Sequence, residues 1–127
     1  MIVLDASVLI AQLDAGDFHH PRARSLLAQS GIEPLGSSAL TLAETLVAPA
    51  RAGRLEEAQA ALERLGIEEL DLGEDAPSRL ARLRADTSRK LPDCCVLLVA
   101  QEHDGAVASF DSALSEAARK LGLKTLA

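Results

Sequence analysis

The segment Met1-Ile2-Val3-Leu4-Asp5-Ala6-Ser7-Val8-Leu9-Ile10 changes its periodicity half way along. Ile2, Val3 and Leu4 form a continuous apolar run with two β-branched members, the pattern of a buried strand. From Ala6 onward the apolar residues recur at helical spacing, with Ala6 and Ile10 in one row and Leu9 and Leu13 in another. Asp5 stands at the handover from strand to helix. In open α/β sheets the carboxyl ends of the strands form the ligand-binding edge. An acid at that position is not needed for burial, so other acids reaching the same edge become informative.

Strand and helix signals alternate along the rest of the chain. His19 to Gln29 is predicted as a helix, with Pro21 in its first turn and Gly31 past its end. Pro34 to Ser37 is a short strand. Ser37 and Ser38 offer caps for a helix from Ala39 to Ala48, closed by Pro49 and Gly53. Arg54 to Leu65 is amphipathic, with Leu55, Ala58, Leu62 and Leu65 opposite Glu56, Glu57, Glu63 and Arg64. Ile67 to Leu72 alternates as a strand, and Asp75 caps a helix from Ala76 to Arg89. The helix opened by Leu91-Pro92-Asp93 is apolar throughout from Cys94 to Ala100, which predicts burial on all sides. Ala106 to Phe110 is a strand, Ser112 to Leu121 a helix, and Leu123 to Leu126 a last strand. This alternation predicts one α/β domain over residues 1–127, with a mostly parallel central sheet of four to five strands flanked by helices on both faces.

Composition narrows the class. The 127 residues are 48% hydrophobic but 2% aromatic, so the core is aliphatic. Scarce rings argue against stacking platforms for single-stranded bases. A formal net charge of -6 excludes nucleic-acid binding driven mainly by overall charge. The adjacent Cys94 and Cys95 read as small buried residues of a reducing compartment. No signal peptide or membrane span is visible, so a soluble cytoplasmic protein is expected.

Four acids are expected at one edge. Asp5 ends the first strand and Asp111 follows the strand beginning at Ala106. Asp93 lies in the first turn of the buried helix. Glu44 shares a helical row with Leu40 and Val47, which are expected to face the core. A carboxylate on that stripe is costly unless paired or metal-bound. Taken singly, Asp5, Asp93 and Asp111 also fit helix-start roles. Together, clustered carboxylates need an offset, which a hard divalent cation such as Mg²⁺ or Mn²⁺ supplies through oxygen ligands.

These residues carry a resemblance. Val3-Leu4-Asp5-Ala6-Ser7, Ser37-Ser38 leading to Ala43-Glu44, Leu91-Pro92-Asp93 and Ser109-Phe110-Asp111, in this order and at this length, resemble the PIN-domain family, most closely its VapC-like ribonuclease toxins. The resemblance implies catalytic, metal-binding acids at Asp5, Glu44, Asp93 and Asp111, with supporting hydroxyls at Ser7 and Ser109. The family often has threonine where Ala6 and Ser109 stand. It further implies Mg²⁺- or Mn²⁺-dependent endoribonuclease activity on RNA, a homodimer, and a small cognate antitoxin protein as partner.

Arg79, Arg82, Arg89 and Lys90 make one helix locally basic and are expected to guide RNA toward the acids. Arg84 lies off that row and reads as solvated. His19 and His20 read as surface residues, and His103 as a helix-end cation. Two alternatives stand beside the nuclease. One is a phospho-receiver-like signalling module, although Asp5 lacks the adjacent acid such modules use, and Asp71-Leu72-Gly73 is a loose match for their acceptor. The other is a catalytically silent PIN-like binding protein.

Overall fold

A computed structural model describes residues 1–127. The elements are β1 (Ile2–Leu4), α1 (Ala6–Leu13), α2 (His20–Gln29), β2 (Leu35–Ser37), α3 (Ala39–Arg51), α4 (Leu55–Arg64), β3 (Ile67–Glu69), α5 (Ala76–Thr87), α6 (Leu91–Glu102), β4 (Ala106–Ala108), α7 (Ser112–Lys120) and β5 (Thr125–Leu126). The five strands form one sheet in the order β3-β2-β1-β4-β5, and every neighbouring pair is parallel. The expected architecture is therefore present, with the upper of the two strand counts. Receiver modules share the other common doubly wound order, 2-1-3-4-5, so the observed order separates this chain from them.

Side-chain alternation along β1 builds two cores. Val3 faces one side, with Val107, α6, and Leu114, Ala117 and Ala118 of α7. Ile2 and Leu4 face the other, with Leu35, α1, and Leu62 of α4. The all-round apolar face of α6 is explained by its position: it packs on β1 and β4 below, under α5, and beside α3. Cys94 to Ala100 are all buried, and both cysteines are free. Burial pushes both thiols up, holding them protonated.

Boundaries shift at several ends. Proline does not end α3 at Ala48; Pro49 lies inside it and the helix runs to Arg51. A proline this close to the free end removes a single rung, and Ala52 still donates to Ala48 O at 3.1 Å. Asp75 precedes α5 in a left-handed conformation (φ 58°) and its side chain makes no cap bond. Ser88, also left-handed (φ 59°), ends α5 before Arg89. The strands are shorter than expected because pairing stops after two or three residues. No helix is long and apolar enough to cross a membrane.

Candidate active site

Asp5 is fixed by the sheet. Its amide continues the ladder by donating to Ala108 O at 2.9 Å, which sets the residue beside Ser109. The side chain is 8% exposed. It occupies the cap position of α1 without making a cap bond. Instead, Ser7 Oγ and Ser109 Oγ each donate to Asp5 Oδ2 at 2.8 Å. Each hydroxyl in turn accepts an amide: Phe110 N–H donates to Ser7 Oγ at 3.0 Å, and Asp111 N–H to Ser109 Oγ at 2.9 Å. A hydroxyl has one proton, so these bonds orient both donors at the carboxylate. The Oδ1 atom of Asp5 has no hydrogen bond from the chain. Ser7 and Ser109 are thus both brought against Asp5.

The other acids arrive from three directions. Ser37 Oγ donates to Leu4 O at 2.6 Å, tying the end of β2 to β1. Ser38 then caps α3, accepting from Thr41 N–H at 3.1 Å. That helix packs against α1, α4 and α6, which carries Glu44 toward Asp5 and Asp93. Burial and the charges of Asp5 and Asp93 push the Glu44 carboxyl up. The reason expected for Glu44 was wrong, however. Its row does not face the core: Leu40 is 42% and Val47 44% exposed. Glu44 stands on the exposed face of α3, and partial burial of its carboxylate is still the first cause of the shift.

Asp93 begins α6. Burial, first, and the charges of Asp5 and Asp111 push its carboxyl up, against the opposing pull of Arg89. Arg89 Nε lies 3.1 Å from Asp93 Oδ2. Asp111 caps α7, with Oδ1 accepting from Ala113 N–H at 2.9 Å and Leu114 N–H at 3.3 Å. Its helix-start role is real, and its charge still reaches Asp93. Glu44 and Asp93 therefore feel acids on elements far apart in sequence: Asp5 acts on both, Asp93 on Glu44, and Asp111 on Asp93. As the side chains stand, no three of them close into a cluster that encloses an ion.

The basic helix divides differently from expectation. Arg79 is drawn away to Glu102, at 2.6 Å, beside the far end of α6. The nine residues from Asp93 to Glu102 rise about 14 Å along a helix, so Arg79 stands off the acidic edge. Arg89 is engaged by Asp93. Arg84 is not simply solvated: it donates to Ser88 O at 2.9 Å and Arg89 O at 3.0 Å, closing the end of α5. Arg82 and Lys90 make no ion pair. His19 and His20 are also more than surface residues. His20 Nδ1 lies 2.7 Å from Ala11 O, and the His19 ring stacks on Phe110 with centroids 4.8 Å apart. The i,i+4 spacing of Arg89 and Asp93 could have signalled their pair, whereas no sequence period announces the His19–Phe110 contact.

Residues 2–120 match the PIN domain family, and the chain belongs to it. Solved structures of similar fold include a toxin–antitoxin complex from Klebsiella pneumoniae, 23% identical, covering 88% of each chain with a TM-score of 0.71. The sarcin–ricin-loop-cleaving toxin VapC20 of Mycobacterium tuberculosis is 23% identical, covering 92% of this chain and 95% of its own, with a TM-score of 0.70. FitAcB from Neisseria gonorrhoeae is 22% identical, covering 100% and 97%, with a TM-score of 0.73. At these identities the likeness concerns the fold. No functionally characterised protein matched by sequence.

Proposed function

We propose that the chain is a metal-dependent endoribonuclease of the VapC type, the toxin of a toxin–antitoxin pair, acting at the edge formed by Asp5, Glu44, Asp93 and Asp111. One observation carries the reading: burial and mutual charge push up Glu44 and Asp93 together, and the Arg89 ion pair does not reverse the shift at Asp93. An uncompensated, all-oxygen group of acids suits a hard divalent cation, Mg²⁺ or Mn²⁺. Asp5 and Asp93 would hold it most directly, with Glu44 and Asp111 completing its surroundings. Such an ion, when bound, supplies Lewis-acid polarisation of a phosphoryl oxygen and a more acidic water.

The chain's own residues do the remaining work. Ser7 and Ser109 lock Oδ2 of Asp5, so the other oxygen is presented in a fixed direction. Glu44, on the open side, orients the attacking water. Arg89 keeps Asp93 from swinging away, and Arg82 and Lys90 attract the RNA backbone. Toxin–antitoxin structures among its fold relatives support a small antitoxin protein as partner; a homodimer is proposed beside it from the family resemblance alone. The test is cleavage of structured RNAs with Mg²⁺, with Mn²⁺ and with chelator, followed by analysis of the ends. Hydrolysis by water predicts 5′-phosphate and 3′-hydroxyl products. A 2′,3′-cyclic phosphate, or full activity in chelator, overturns the mechanism. No cleavage of any RNA, with metal bound, favours a silent PIN-like binding protein.

A further inference from the structure

The only two phenylalanines of the chain, Phe18 and Phe110, flank the His19 ring at one corner of the sheet edge without touching each other. Phe110 lies between Ser109 and Asp111, and its amide is bonded to Ser7 Oγ, the hydroxyl that holds Asp5. The His19 ring stacks on Phe110 at an interplanar angle of 27°. Phe18 meets the His19 ring edge-on, with centroids 5.0 Å apart. The Arg22 guanidinium lies over the other aromatic ring, 4.7 Å from the Phe110 centroid. Phe18 itself is 89% exposed.

This corner is preorganised. Gly16 N–H donates to Asp14 Oδ1 at 2.9 Å, and His19 N–H to Asp17 Oδ1 at 2.8 Å. Asp17 N–H donates to Asp14 O at 3.0 Å, and His20 N–H to Asp17 O at 3.0 Å. The turn that presents Phe18 is thus held by four hydrogen bonds before any ligand arrives. A lone phenylalanine so exposed gains nothing for folding. Rings beside a guanidinium, next to a group that acts on phosphodiesters, match a base and its phosphate.

We infer that the α1–α2 corner is a stacking site for an unpaired RNA base next to the cleaved phosphodiester, with Phe18 as the ring the base lies on and Arg22 as the neighbouring cation. This deepens the nuclease reading and rests on it: the substrate is RNA with at least one splayed-out nucleotide beside the cut. It also departs from the expectation from composition, because one exposed ring beside the acidic edge is enough to stack one base.

The test compares the parent with F18A, F18L and F18W. Binding of a fluorescent single-stranded RNA is followed by anisotropy in chelator, and cleavage kinetics are followed with Mn²⁺. F18A and F18L are expected to weaken binding and raise KM at least about fivefold, with kcat within about twofold, while F18W stays at the parent level. A perfect duplex of the same length should bind all four alike. If F18L matches the parent, or the duplex shows the same losses, the ring does not stack on a base and the inference is overturned while the nuclease reading stands. If the parent neither binds nor cleaves RNA, the nuclease reading falls, and the stacking site with it. The high exposure of Phe18 makes folding of the variants a safe control, checked by equal melting temperatures.

Discussion

The two ends of α6 carry nearly matching features and do opposite things. Each end pairs an acid of α6 with an arginine: Asp93 with Arg89, from the turn between α5 and α6, at 3.1 Å, and Glu102 with Arg79 of α5 at 2.6 Å. Each end has further acids around it, Asp5, Glu44 and Asp111 at one, Asp71, Glu74 and Asp75 at the other. At the Glu102 end the helix dipole opposes an acid, so Arg79 corrects a local conflict and the remaining carboxylates stand exposed in a turn. At the Asp93 end the dipole already favours the acid, and Arg89 adds to it. Burial and the charges of Asp5 and Asp111 nevertheless prevail, and the carboxyl is pushed up. A count of acids does not distinguish the two ends. What distinguishes them is unfavourable charge that remains after every local support has been used.

The sharpest way to break this comparison is to neutralise one acid at each end. Asp5→Asn keeps the shape and the acceptor for Ser7 and Ser109, but removes the buried charge. RNA cleavage is expected to fall by at least about a hundredfold, beyond the 10–100-fold typical of losing a supporting group around a metal. Glu102→Gln should leave cleavage within about twofold. Equal losses at both ends, measured as initial rates on one RNA, make the acidic edge no more functional than the Arg79 turn.

Melting with and without metal comes next. A cation that binds only the folded state at a hundredfold excess over Kd stabilises by about 2.7 kcal/mol, or roughly 5 to 15 °C for a domain of this size. Asp93→Asn removes a repelling charge and a metal-binding oxygen. In chelator it should melt near the parent or above it, and with Mg²⁺ or Mn²⁺ it should gain much less. Glu57→Gln, on the exposed face of α4, should keep the full shift. An Asp93→Asn protein that melts well below the parent in chelator, and keeps the full shift, assigns Asp93 to the helix start alone.

How much of this was readable in advance varies with how local each cause is. Asp5, Asp93 and Asp111 stand at changes of periodicity, so their edge positions follow from the chain itself. Glu44 stands on a row expected in the core that is in fact exposed; its approach to Asp5 depends on the packing of α3 against α1 and α6, which no helical period encodes. The row Arg79-Arg82-Arg89 holds only through Arg82, because α5 ends at Thr87 and the left-handed Ser88 leaves Arg89 outside the helix. Spacing gives a face and not which end of the face meets the acids, and that was decided by the antiparallel pairing of α5 with α6. The His19–Phe110 stack joins residues 91 positions apart, a distance over which composition averages are silent.

A smaller effect separates the cations that are free from those that are engaged. Arg82 and Lys90 make no ion pair, so Arg82→Gln and Lys90→Gln should each weaken RNA binding and reduce the slope of log affinity against log salt by up to about one. Arg79→Gln, at the opposite end of α6, should change neither. If Arg79→Gln gives the same drop in slope as Arg82→Gln, the RNA path follows the whole of α5 and the two ends of α6 are not electrostatically distinct toward substrate.

The smallest expected effect is a pH dependence, and its sign is its value. Burial and the charges of Asp5 and Asp93 raise the Glu44 carboxyl above its unfolded value. The folded protein therefore holds this proton more tightly than the unfolded chain. The stabilising contribution of the proton is complete below the ordinary glutamate range and is lost as pH rises through the raised folded value. Glu44→Gln mimics the protonated side chain at every pH. In chelator its stability relative to the parent should be level near pH 4 and improve as pH rises toward 7. The gain is small, below about 1 kcal/mol, because water screens a group on an open helix face. Added Mn²⁺ should shrink or invert the difference, since the parent's charge then has a partner. Urea unfolding of both proteins across that range, with chelator and with Mn²⁺, measures it. A difference that stays flat with pH in chelator, or favours the parent more as pH rises, means that Glu44 does not share in the repulsion and leaves Asp5, Asp93 and Asp111 as the acidic site.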